Sequence, residues 1–243
     1  MCPFMAGFVD LHSHVLPGID DGAKTIADSE QMLRLLSQVG FSQVCATPHQ
    51  KAAQYLPSAE QIAAAYAAAQ QVVGPLTLLL GAENFWDDVF FERARDRTIP
   101  SYTGGKAFLF EIPPHVIPPR FVDDLFRERA KGLLPVLAHP ERYDGFDVDR
   151  AVAVGKTCAL VVDLGALSGA HGWRESRVAR KLVLEGTVHA LASDVHSTTD
   201  IQSAAAGIAW VRKKLGENEV QRLLSDNPRR ILQGDLPETR MNL

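Results

Sequence analysis

The stretch Phe8-Val9-Asp10-Leu11-His12-Ser13-His14 decides how the chain is read. It is a short apolar run without clear polar alternation, as expected of a parallel strand covered on both faces. It runs straight into a His-x-His pair. Residues two apart on a strand point the same way, so His12 and His14 can reach one cation together. Outward from this segment the same unit recurs: an apolar run, a polar cluster, then an amphipathic stretch. The apolar runs cover residues 7–11, 43–47, 76–82, 107–112, 134–138, 159–164 and 188–192.

Helices are expected at 25–39, 58–73, 87–95, 119–131, 148–155, 175–184, 201–215 and 217–224. Thr25 with Asp28 and Ser58 with Gln61 have capping-box spacing. Gly40, Gly132, Gly155, Gly186 and Gly216 each follow a helix end, where a left-handed residue is favoured. Seven strand–helix units in succession predict one domain over residues 1–243, an α/β fold with its parallel strands in a barrel. An open doubly wound sheet is the alternative.

The 243 residues are 46% hydrophobic, which supports a large core rather than disorder. A net charge of −4 without a run of Lys or Arg argues against nucleic acid as a partner. The start of the chain has no basic region typical of a targeting signal, and no apolar stretch approaches the ~20 residues that span a bilayer. Cys2, Cys45 and Cys158 are widely spaced and odd in number, and read as reduced core thiols of a cytoplasmic protein.

The strand ends carry the chemistry. After the first run comes Asp10-Leu11-His12-Ser13-His14, and later runs end in Thr47-Pro48-His49, Gly81-Ala82-Glu83 and Phe110-Glu111. Two more end in Ala138-His139-Pro140-Glu141-Arg142 and Ser193-Asp194-Val195-His196. In β/α barrels these ends surround the active site. Any one strand-end histidine is ordinarily solvated, and Glu83 or Glu111 alone reads as a loop carboxylate. Five of the eight histidines at strand ends change that reading, and imidazole with carboxylate suits Zn, Mn or Fe. Asp10 is expected to fix a histidine tautomer from behind. His115, His171 and His189 lie outside the pattern and read as surface or structural.

Together with Asp20-Asp21-Gly22-Ala23 and Asp226-Asn227-Pro228, these motifs resemble the PHP (polymerase and histidinol phosphatase) superfamily. Within it they are most similar to the bacterial manganese-dependent protein-tyrosine phosphatases of capsule and exopolysaccharide biosynthesis. The resemblance runs from Phe8 to about Gly234. It implies a distorted (β/α)7 barrel with three divalent metal ions, Mn2+ in the first place, with Fe, Co, Mg or Zn as substitutes. Carried over by motif, His12, His14, Glu83 and Asp194 hold one metal. Glu83, Glu111 and His139 hold a second, and Asp21, His49 and His196 the third. Arg142 grips the phosphate, and Arg142, Glu83 and His49 stand closest to the chemistry. The implied substrate is a phosphotyrosine-bearing protein, a bacterial tyrosine autokinase of polysaccharide export, attacked by a metal-bridging hydroxide.

Two departures stand out. Relatives often carry an arginine just after the Ser-Asp-x-His motif; residues 197–211 contain none, and Lys51 or another arginine is the candidate substitute. Asp163 stands where asparagine is common, and reads as a helix cap or a supporting carboxylate. Six residues after Cys2, Cys45 and Cys158 lie Phe8, Lys51 and Leu164, so the cysteine-based phosphatase signature is excluded. Phe85, Trp86, Phe90 and Phe91, with Pro113, Pro114 and Pro118, could frame a shallow mouth; helix packing is the plainer reading of the aromatics. The rival functions are a small-metabolite phosphatase acting on a compound such as histidinol phosphate, a noncatalytic PHP module, and a nuclease.

Overall fold

The structure, a computed structural model, describes residues 7–242. Cys2 lies outside them. The strands are β1 (Phe8–Ser13), β2 (Phe41–Ala46), β3 (His49–Gln50), β4 (Thr77–Leu80), β5 (Glu83–Phe85), β6 (Ala107–Glu111), β7 (Leu134–Ala138), β8 (Ala159–Asp163) and β9 (Ala190–Ala192). Every expected run contains one. The two unanticipated strands, β3 and β5, continue β2 and β4 beyond breaks at Thr47-Pro48 and Gly81-Ala82. A proline has no N–H to give to a ladder, which accounts for the first break.

The strands pair in parallel in two sheets, β1-β2-β4 and β3-β5-β6-β7-β8-β9, rather than in one closed ladder. Their order follows the chain without the reversal that a doubly wound sheet requires. The outer edges meet: Asp194 N donates to His12 O (2.9 Å) and His14 N to Val195 O (3.0 Å). Side chains alternate between two cores. Val9, Leu11, Leu109, Val136 and Val161 pack together on one face of the strands. Phe108, Phe110, Leu137, Leu160 and Val162 pack with helix residues on the other. Burial on both faces is why the runs lack polar alternation.

The helices are α1 (Ile26–Val39), α2 (Ala59–Gln70), α3 (Asp88–Asp96), α4 (Phe121–Ala130), α5 (Val148–Val154), α6 (Leu164–Ser168), α7 (Trp173–Leu184), α8 (Thr198–Leu215), α9 (Glu217–Gln221) and α10 (Asn227–Leu232). Both expected capping boxes form. The short α6 and α10 were not anticipated, being too brief to show a periodicity. The helix expected over 217–224 gives way to a π turn at Arg222–Asp226. Asn227 of the Asp-Asn-Pro motif starts α10 and donates to His189 O (2.7 Å), tying that helix to the strands.

Several expectations need correction or narrowing. Gly155 is right-handed (φ −60°), so it is not a left-handed terminator; a Cβ there would meet Ala151 O at 2.8 Å. Trp86 and Phe90 are buried against Phe110 rather than framing a mouth. Cys45 and Cys158 are buried free thiols, both pushed up by burial. No helix among the described residues is long and apolar enough to cross a membrane.

α8 lies on α6 through Gly207, where a Cβ would sit 2.2 Å from Leu164 O, a backbone atom. Gly207→Ala is expected to destabilise the fold by about 1–3 kcal/mol through overpacking. That corresponds to a melting temperature lower by roughly 2–12 °C in a thermal scan at fixed metal. An unchanged melting point would show that α8 can slide freely on α6.

Candidate metal centre

Strand ends bring the expected residues to one place. His12 and His14 leave β1, His49 starts β3, Glu83 starts β5 and Glu111 ends β6. His139 and Asp194 follow β7 and β9 with left-handed backbones (φ 33° and 47°), a conformation that costs a non-glycine residue about 1–2 kcal/mol. Gly22 lets the Asp20-Asp21 turn close onto β1: a Cβ there would meet His14 O at 2.0 Å.

Glu83 is the hub. Its Oε1 lies 2.8 Å from His139 Nε2 and 3.2 Å from His12 Nε2; its Oε2 lies 2.7 Å from His49 Nδ1 and 3.6 Å from His14 Nε2. Asp194 Oδ1 lies 3.1 Å from His12 Nε2 and 3.4 Å from His14 Nε2. Asp21 Oδ1 is 3.3 Å from His49 Nε2 and 3.4 Å from His196 Nε2. Glu111 Oε1 is 3.6 Å from His49 Nδ1. Four overlapping groups could hold a metal ion: His14, Asp21, His49 and His196; His12, Glu83 and His139; His12, His14 and Asp194; His49, Glu83 and Glu111. They use all nine of the metal-binding residues expected from the sequence and, among the described residues, no others.

The backs of the rings are satisfied. His12 Nδ1 bonds Thr47 Oγ1 (2.7 Å), His14 Nδ1 bonds Asp20 Oδ2 (2.8 Å), His139 Nδ1 bonds Tyr143 Oη (3.2 Å) and His196 Nδ1 bonds Asp194 O (2.9 Å). An imidazole that donates Nδ1–H backwards presents the Nε2 lone pair forwards, the arrangement of a metal ligand. The forward atoms lack hydrogen-bond partners although buried: His12 Nε2, His14 Nε2, His49 Nδ1, Glu83 Oε2, Asp21 Oδ1 and Asp194 Oδ1. A cluster of buried nitrogen and carboxylate lone pairs facing one another is what divalent cations would satisfy, so the residues fit the group.

Charge points the same way. Burial pushes Glu83 up, but His12, His139 and His49 outweigh it and hold this carboxylate well below its usual range. Glu111 is pushed up to about 8 by burial and then by Glu83. Burial lowers His49 and His196, but Asp21 and other nearby carboxylates raise them to about 11 and about 9. The cluster thus draws positive charge from protons where a metal ion would supply it.

Arg142 borders the cluster with its side chain a third exposed. Its Nη2 donates to Asp194 Oδ2 (2.5 Å) and Asp163 Oδ2 (2.8 Å). Asp163 also caps α6 by accepting from Gly165 N (2.6 Å), as expected. Lys51 lies 4.2 Å over the Phe85 ring.

Four residues were misread or missed. Asp10 does not reach a histidine ring; it accepts from Ser193 N (2.9 Å) and the Ser193 hydroxyl, tying β1 to β9, and Thr47 supports His12 instead. Asp20, given no role of its own in the Asp20-Asp21-Gly22-Ala23 motif, accepts from His14. His171 is not remote: its Nδ1 lies 2.9 Å from Asp163 Oδ2 and 3.4 Å from Arg142 Nη2. Only tertiary contact reveals it, since it follows no strand. His189 is structural as read, its ring accepting from Leu160 N (3.0 Å) and pushed down to about 3 by burial. His115 is exposed and pairs with Asp144.

A family model described as "Capsular polysaccharide synthesis, CpsB/CapC" matches residues 8–233. The chain belongs to the CpsB/CapC family. It is 31% identical to tyrosine-protein phosphatase YwqE of Bacillus subtilis (strain 168) over 237 residues, covering 92% of this chain and 91% of the relative. It is 26% identical to tyrosine-protein phosphatase CpsB of Streptococcus pneumoniae, covering 94% and 99%. It also matches a chain from the crystal structures of YwqE from Bacillus subtilis and CpsB from Streptococcus pneumoniae, unique metal-dependent tyrosine phosphatases. That match has a TM-score of 0.85 and 25% identity, covering 96% of this chain and 98% of that one. The CpsB/CapC match spans every strand described above.

Protons and divalent ions compete for the same imidazoles. With His49 and His196 raised, their rings are protonated at pH 6, so metal binding must release protons and tightens as pH rises. Mn2+ added to chelator-stripped protein is expected to raise the melting temperature more at pH 8 than at pH 6. A pH-independent stabilisation would show that these rings do not bind the ion.

Proposed function

We propose that this chain is a metal-dependent protein-tyrosine phosphatase whose substrate is a bacterial tyrosine autokinase of capsule or exopolysaccharide production. The observation that carries this reading is the convergence of five imidazoles and four carboxylates beside Arg142. Its architecture is a distorted (β/α)7 barrel in one domain over residues 1–243, working in the cytoplasm without membrane insertion or nucleic acid. The alternating cores and the joined outer edges support the barrel.

Three divalent ions, Mn2+ by preference, would occupy the centre. His12, His14, Glu83 and Asp194 would hold one, Glu83, Glu111 and His139 a second, and Asp21, His49 and His196 the third. His14 also faces the third set, and His49 also faces Glu83 and Glu111. When bound, the ions would acidify water toward a nucleophile and neutralise phosphate charge. Burial of Glu83 and Asp194 keeps bulk water away from the deepest ligands. Arg142 is anchored through Nη2 to Asp163 and Asp194, which orient the guanidinium so that its remaining N–H groups and its charge are offered to a phosphate oxygen. A tyrosine phenol leaves with a pKa near ~10, so the step needs only modest assistance to the leaving oxygen. Cys45 and Cys158, buried and neutral, take no part.

Metal analysis of protein saturated with manganese is expected to approach about three equivalents, more than the two ions of a binuclear clamp. A folded protein that never holds more than one would defeat the three-ion assignment.

The test of function compares kcat/KM on a phosphotyrosyl peptide, its phosphoseryl counterpart and histidinol phosphate at matched manganese. The phosphotyrosyl peptide is expected to be the best substrate. Histidinol phosphate ahead by tenfold would make this a metabolite phosphatase. In the same assay Arg142→Ala is expected to lower kcat/KM by roughly 30- to 1000-fold, about 2–4 kcal/mol, with metal content unchanged. Activity within twofold of the parent would remove Arg142 from the phosphate site.

A further inference from the structure

α7 presents a basic, partly aromatic face that the metal chemistry leaves unused. Trp173 is 76% exposed, a large value for a tryptophan in a folded chain. The Arg177 guanidinium lies 5.4 Å over its ring. α7 carries Arg174, Arg177, Arg180 and Lys181 against one acid, Glu175, within a chain of net charge −4. Two of these cations are engaged: Arg174 with Asp144, and Arg180 with Leu167 O and the Trp210 ring. Arg177 and Lys181 are exposed and have no carboxylate partner among the described residues.

The face is concave and starts two residues after His171, which touches Arg142. A groove of about 710 Å3 runs between Gly169 and Glu185 past Trp173, Arg177 and Lys181, with Glu185 as its one carboxylate against three cations. A second, of about 280 Å3, shares that ridge and reaches Tyr143 and Phe146. Tyr143 follows Arg142 in sequence and bonds His139. His171, two residues before Trp173, lies 3.4 Å from Arg142. A chain whose phosphate is gripped by Arg142 can therefore leave along α7.

We propose that this face docks the acidic stretch of Asp and Glu residues next to the target phosphotyrosine of the protein substrate. The inference rests on the phosphatase reading and names what that site selects beyond phosphate. Arg177 and Lys181 pair with the acidic side chains, and Trp173 packs against the peptide chain between them. Concavity and continuity with Arg142 favour a polypeptide over a lipid surface, which would need a convex or flat face.

The test uses the metal-loaded enzyme and two phosphotyrosyl peptides that differ only in flank, one rich in Asp and Glu, the other with Asn and Gln at the same places. The parent is expected to show a KM about three- to tenfold lower for the acidic peptide at low salt. High salt removes that preference. Arg177→Glu with Lys181→Glu abolishes it through KM, while turnover of para-nitrophenyl phosphate stays at the parent level, which also reports folding and metal load. Equal KM values for the two peptides with the parent enzyme, or a preference that survives charge reversal, would overturn the docking alone. Turnover of para-nitrophenyl phosphate with neither peptide cleaved would overturn the peptide-phosphatase reading and this inference with it. Binding to phosphatidylglycerol vesicles that the double variant loses, with peptide selectivity unchanged, would reassign the face to a membrane surface and reject the proposal.

Discussion

A carboxylate buried among imidazoles governs this molecule. Glu83 has a side chain only 1% exposed and lies within 3.6 Å of ring nitrogens from four histidines. An isolated buried charge is costly enough that a protein neutralises it or pairs it. Here the partners come from β1, β3 and the turn after β7, so the charge is tolerated only when three strand ends are in place. The fold is thereby coupled to the assembly of the site. A cation bound here would stabilise the fold as well as supply chemistry.

The supporting contacts lie one layer out. Thr47, Asp20 and Tyr143 each hold the rear nitrogen of an inward-facing ring, and each belongs to a different loop. Asp10 and Ser193 bind the first strand to the last, which sets the separation between the His12–His14 pair and Asp194. The left-handed backbones of His139 and Asp194 turn their side chains back toward the cluster at the points where β7 and β9 end. Arg142 is drawn in by Asp163 and Asp194, and Asp163 is shared with His171 and the start of α6. Asp163 carries a charge that the Arg142 guanidinium and the His171 ring both meet. Among the described residues the Lys51 ammonium rests on the Phe85 ring without an ion pair, and its charge acts to lower Glu111.

The repeated unit of apolar run, polar cluster and amphipathic stretch was legible because it is local. Strand burial on both faces writes itself as an uninterrupted apolar run, and helix starts as Thr25-to-Asp28 and Ser58-to-Gln61 spacing. Eight of the nine site residues were legible because each sits where a run ends; Asp21, in the turn after β1, was legible only because the motifs together resemble a known family. Short elements were not: α6 and α10 span too few residues for a period, and β3 and β5 are fragments beyond a break.

By itself, then, the sequence determined the parallel α/β character, the seven strand-bearing units and, Asp21 apart, which His, Asp and Glu residues face a common centre. These depend on spacing along the chain, which period and composition record directly. Only the tertiary structure decided what stands behind those residues: Thr47 rather than Asp10 at the His12 ring, Asp20 at His14, His171 beside Arg142, and Trp86 in the core instead of at the mouth. Such contacts join residues far apart in sequence, or on loops without a period. Their geometry is fixed by packing and by the pairing of buried charge, which no local pattern encodes.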